Sequence, residues 1–102
     1  FVKVITGIRR CGKSVVLRLI REELLRRGVS EDYIIYMNFE SFEWIDMKEA
    51  KALYAHIREA TKASGKYYIL LDEIQEVTDW EKAVNAFLVD LDVDIYVTGF
   101  IS

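Results

Sequence analysis

Proline is absent from the 102 residues, and cysteine occurs once, at Cys11. A lone thiol cannot form an internal disulfide, so a reducing compartment, the cytoplasm by default, suits the chain. Histidine also occurs once, at His56, which leaves no second imidazole for a histidine-built metal site. No apolar run approaches the roughly 18 residues of a membrane span, and no signal-peptide pattern opens the chain, so nothing argues for a membrane. An excess of positive charge is missing too. Fourteen basic residues against 17 acidic ones give a net charge of −3, which removes a global nucleic-acid footprint but leaves room for a local patch. The length allows one domain with a real core. The chain enters a strand at once and lacks an initial methionine, so we read residues 1–102 as one partial domain of something longer.

Glycine is scarce, and two of the five are placed with purpose. Gly7-Ile8-Arg9-Arg10-Cys11-Gly12-Lys13-Ser14 matches G-x-x-x-x-G-K-S without a departure, the Walker A pattern. Glycines let the backbone close around a phosphate, since a Cβ would block the turn. The backbone N–H groups of Gly7 to Val15 then point inward, and the following helix offers its positive end to the same anion. Lys13 can reach the β- and γ-phosphates of a nucleotide, and the Ser14 hydroxyl can enter a Mg²⁺ shell. The motif needs a buried strand before it and a helix after it. Phe1-Val2-Lys3-Val4-Ile5 is apolar and β-rich, and Ser14 to Arg27 has helical character.

Downstream, apolar segments of two periods alternate, the pattern of an α/β protein with a parallel sheet. The expected strands are β1 (1–5), β2 (33–38), β3 (67–71) and β4 (94–98). The first helix is expected over 12–27, with Val16, Leu17, Ile20 and Leu24 on one face and Gly28 as its stop. Asp46-Met47-Lys48-Glu49 has capping-box spacing and precedes a stripe through Ala50, Leu53, Tyr54, Ile57 and Ala60. Thr78-Asp79-Trp80-Glu81 repeats the pattern before Ala83, Val84, Phe87, Leu88 and Leu91. The second strand is apolar almost throughout, as expected when both faces are covered.

Leu70-Leu71-Asp72-Glu73 is the second chemical centre. An apolar strand ending in two acids puts them at the carboxyl end of a parallel sheet, where open α/β folds bind ligands. Asp72 is expected to hold Mg²⁺ opposite Ser14, and Glu73 to orient and deprotonate the water that attacks the γ-phosphate. Phosphoryl transfer needs this division between a metal carboxylate and a base. Alone, the acidic pair would read better as a helix cap or a solvated turn; the upstream phosphate loop reverses that balance.

These motifs, with Tyr36-Met37-Asn38-Phe39-Glu40, Leu71-Asp72-Glu73-Ile74-Gln75, Trp80-Glu81 and Ile95-Tyr96-Val97-Thr98-Gly99, together resemble one family. It is the prokaryotic AAA-like P-loop ATPases with an arginine pair in the phosphate loop and an L-D-E-I-Q motif. The likeness covers nearly the whole chain. It implies a three-layer P-loop NTPase core of the additional-strand type, with sheet order β2-β3-β4-β1 and a fifth strand missing. It also implies that Asn38, ending the second strand, faces Glu73 as a regulatory switch; a strand-end cap is the equally weighted alternative. Thr98 falls where a sensor would meet the γ-phosphate or the attacking water. The family usually continues Thr-Gly-Ser-Asn, whereas this chain reads Thr98-Gly99-Phe100-Ile101-Ser102 and lacks two polar groups there.

Four remaining residues and Cys11 invite chemistry that simpler roles outweigh. Arg9 and Arg10 could touch phosphate, but exposure or a structural ion pair is favoured. Cys11 reads as a small loop residue before a redox sensor. His56 reads as a surface histidine, and Trp44 as packed beneath a loop before stacking on a base. A guanine-reading N-K-x-D pattern is absent, so adenine is the default base. The leading expectation is therefore a Mg²⁺-dependent ATPase. An ATP-sensing module without useful hydrolysis and a small-molecule phosphotransferase are the alternatives. Further domains would supply a nucleic-acid or protein partner, and oligomerisation is compatible with all three.

Overall fold

The computed structural model describes residues 1–5 and 13–99, with Lys13 and Ser14 described by backbone alone. The phosphate-loop positions Gly7 to Gly12 and the tail Phe100-Ile101-Ser102 lie outside the described residues. Four strands, β1 (Val2–Ile5), β2 (Ile34–Asn38), β3 (Tyr67–Asp72) and β4 (Val93–Thr98), alternate with three helices, α1 (Lys13–Arg26), α2 (Ala50–Ala60) and α3 (Trp80–Asp90). All strand pairs are parallel, in the order β1-β4-β3-β2. Read from its β2 edge the sheet runs β2-β3-β4-β1, with the neighbours that the family resemblance implies: β2 with β3, β3 with β4, and β4 with β1.

The register divides each strand between two layers, because successive side chains point to opposite faces. Leu71 pairs with Met37 and Val97, and Ile69 with Ile35 and Ile95. These residues meet Leu53 and Ile57 of α2 and Ala83, Val84 and Phe87 of α3 in one buried core. On the other face α1 contributes Leu17 and Leu24, both buried. Val16, expected on that buried stripe, is 38% exposed and Leu19, three residues on, 55%, because among the described residues one helix covers this side and only one strip of it touches the sheet. Edge position has a similar effect on β2, whose Tyr36 is 39% exposed rather than covered on both faces. No described helix is long and apolar enough to cross a membrane.

Helix ends show where local chemistry decided and where it did not. α1 closes as anticipated: Gly28 at φ +94° lets its own N–H reach Leu25 O and Val29 N–H reach Leu24 O, each at 3.0 Å. Neither expected capping box forms. Asp46 sits inside a short 3-10 segment, Phe42–Met47, capped by the Ser41 hydroxyl. α2 starts from Glu49 and α3 from Asp79, both without a side-chain cap. The reason is tertiary. Residues 48–50 pair with Thr78, through Thr78 N–H to Lys48 O at 3.0 Å and Ala50 N–H to Thr78 O at 3.1 Å. That bridge fixes both helix entrances and supplies backbone partners in place of the side chains.

Candidate functional site at the carboxyl end of the sheet

Parallel strands bring all their carboxyl ends to one side. Ile5 ends beside Thr98, and Asn38 ends beside Asp72. The segment holding the G-x-x-x-x-G-K-S residues therefore leaves β1 at this end, and α1 begins with Lys13. Leu17 and Arg18, early in α1, line a small cavity with Tyr36, whose phenol touches Asp72. The first half of α1 and Asp72 thus lie at the same end of the sheet.

Asp72 is completely buried. Burying a carboxyl group without partners would be unfavourable, and two hydroxyls contribute to offsetting that cost. Thr98 Oγ1 donates to Asp72 Oδ1 at 2.5 Å, and the Tyr36 phenol donates to Oδ2 at 2.9 Å. Burial first, and then its bond to Asp72, holds the Tyr36 phenol well above the ordinary tyrosine pKa. Tyr36 therefore stays a donor.

Thr98 also accepts from the Glu73 backbone N–H at 3.1 Å, so one hydroxyl ties the end of β4 to both acids. The chain turns sharply there: Glu73 has φ +59° and ψ +51°, a left-handed conformation uncommon for a non-glycine residue. That turn aims successive side chains differently. Asp72 stays under α1, while Glu73, 8% exposed, accepts a hydrogen bond from Gln75 Nε2 at its Oε1. Asn38 has a local partner instead; its Oδ1 accepts from Glu40 N–H at 3.0 Å and caps the turn after β2.

The structure thus gathers Asp72, Glu73, Thr98 and Asn38 at one end, with the start of α1. Val15 is described and 42% exposed. Two residues of the network were not singled out from the sequence, Tyr36 and Gln75. Tyr36 shares strand parity with Asn38, whose register partner is Asp72, so alternation alone could have found it. Trp44 packs against the core and meets His56 edge-on at 5.1 Å, which makes both structural. Among the described residues no group of three or more His, Cys, Asp or Glu side chains gathers as a metal site. A phosphate-bound magnesium ion takes one or two carboxylates, with hydroxyl, phosphate and water oxygens filling the rest of its shell, so one buried aspartate fits it.

A family model described as an AAA domain matches residues 1–100. The chain belongs to the AAA-domain family. Among curated proteins, this AAA domain is 46% identical over 100 residues to an uncharacterized protein of Haemophilus influenzae, covering 97% of the chain and 25% of that protein. It is 32% identical over 98 residues to an uncharacterized protein of Methanocaldococcus jannaschii, covering 96% of the chain and 21% of that protein. The AAA domain therefore spans a quarter or less of these relatives. No solved structure gives a significant match.

Proposed function

We propose that this AAA domain binds ATP with Mg²⁺ and hydrolyses it, as the nucleotide-handling part of a longer cytoplasmic protein. One observation carries the reading: buried Asp72 and Glu73, joined through Thr98, stand at the end of the sheet where β1 runs into the G-x-x-x-x-G-K-S segment. In this reading the backbone of Gly7 to Val15 cradles the phosphates, and Lys13 places an ammonium group against the β- and γ-phosphates. Ser14 and Asp72 would hold Mg²⁺, which when bound neutralises charge on the phosphate oxygens. Glu73 orients the attacking water and takes its proton, and Thr98 fixes the spacing between the two acids. Adenine selection, partners and the work done by hydrolysis belong to the rest of the protein.

The test uses the full-length protein. Lys13→Ala should weaken ATP binding by at least about 100-fold, measured by calorimetry. Glu73→Gln should bind ATP like the parent and turn it over at least about 100-fold more slowly. Parent-rate hydrolysis by Glu73→Gln would remove Glu73 from the chemistry. An ATP-sensing module predicts binding without phosphate release, and a phosphotransferase predicts a phosphorylated small-molecule product.

A further inference from the structure

We infer that Gln75 is the positioning residue for the Glu73 carboxylate and that Gly99 provides its seat; this rests on the reading of Glu73 as the hydrolytic base. Gln75 Nε2 donates to Glu73 Oε1 at 2.8 Å. An amide can donate in that direction only if its own oxygen is accommodated elsewhere, and the other end of the group lies against the backbone of Gly99. A Cβ built on Gly99 would stand 2.1 Å from Gln75 Oε1, 3.2 Å from Ile74 N and 3.3 Å from Gln75 Cδ. Gly99 has φ +151° and directly follows Thr98, whose hydroxyl holds Asp72 and the Glu73 N–H. The end of β4 therefore grips the acidic turn twice: once through the Thr98 hydroxyl on the backbone of Glu73, and once through Gly99 and Gln75 on its side chain.

The consequence for chemistry is orientational. Glu73 has a backbone fixed by its left-handed turn but several χ rotations beyond it, and one hydrogen bond at Oε1 selects among them. Oε2 is then presented in a set direction for a water. Gln75 touches the base and not the reacting atoms, so its removal should lower kcat without altering how ATP binds.

Steady-state hydrolysis by the full-length protein provides the test. Gln75→Ala should lower kcat about tenfold with KM for ATP within about twofold of the parent. Gln75→Glu keeps the size but replaces the amide donor by an acceptor, so it should lose a similar factor. Parent kcat in Gln75→Glu would reduce Gln75 to packing and overturn the inference. Gly99→Ala displaces the amide and should also lose about tenfold, and adding Gln75→Ala to it should cost no more than about a further twofold. A double variant that loses the product of the two single factors would show independent effects and overturn the linkage. If the parent binds ATP and hydrolyses none, the hydrolytic reading fails and the positioning role fails with it. The seat is then judged on melting temperatures: Gly99→Ala should lower Tm at least about twice as far in the parent as in Gln75→Ala. Equal drops would overturn the seat.

Discussion

The two faces of the sheet are built from alternate residues of the same strands and share almost no chemistry. Toward α2 and α3 the strands present Met37, Ile69, Leu71, Ile95 and Val97, all buried and apolar. Toward α1 the intervening positions are Tyr36, Leu70, Asp72, Asp94, Tyr96 and Thr98, most of them polar or amphipathic. Asp94 on that face is paired with Lys66 at 3.0 Å, and Asp72 with two hydroxyls. The difference teaches a division of labour. One face supplies the burial that holds the layers together, so the other can keep charge and hydrogen-bonding groups out of water at the carboxyl end without unfolding the domain.

The division is exposed to test at its strongest point first. Phe87 is fully buried on the α3 side, stacked on Tyr54 with ring planes 3° apart. Phe87→Ala should cost about 3–5 kcal/mol of stability. Measured by urea unfolding, that loss should leave kcat near the parent value at temperatures where the variant is folded. An equal collapse of kcat in the folded variant would break the division. Thr98→Val, on the opposite face, should cost less stability, about 1–3 kcal/mol, since it strands the buried Glu73 N–H and removes one partner of Asp72. Its turnover should fall more than that of Phe87→Ala; the reverse ranking would count against a site on the α1 face.

The smallest expected effect concerns alkaline pH. Tyr36 and Tyr96, both on the α1 face, have phenols raised above the ordinary tyrosine value, in each case by burial first, with Asp72 and Asp94 respectively adding to it. A raised folded-state pKa stabilises the fold below the unfolded value, near about 10, and that contribution is lost as pH rises beyond it. Urea midpoints should therefore fall between about pH 10 and 11, and Tyr36→Phe should flatten the decline. An unchanged slope in Tyr36→Phe would mean that its phenol titrates alike in both states.

Much of this arrangement was legible because it rests on local rules. Apolar periodicity located the α-helices and strands of the described residues, the Gly28 stop followed from left-handed backbone, and a strand ending on Asp72 had to end at the ligand side of a parallel sheet. The capping boxes at Asp46 and Thr78 misled for a physical reason: a cap is a local remedy for unpaired backbone donors, and the bridge between Glu49 and Thr78 supplied another. Tyr36 was read only as strand because its partner, Asp72, lies 36 positions away. Gln75 sits two residues from Glu73, yet its orientation depends on Gly99 across the sheet end.

By itself the sequence determined the alternation of elements, the two acids at the end of an apolar strand, and the phosphate-loop pattern ahead of a helix. These follow from periodicity and spacing along one stretch of chain. Tertiary structure alone decided which hydroxyls satisfy Asp72, what holds Glu73, and which side of α1 is covered. Each of those outcomes is a contact between residues far apart in the chain, and only strand register and helix packing fix which of them meet.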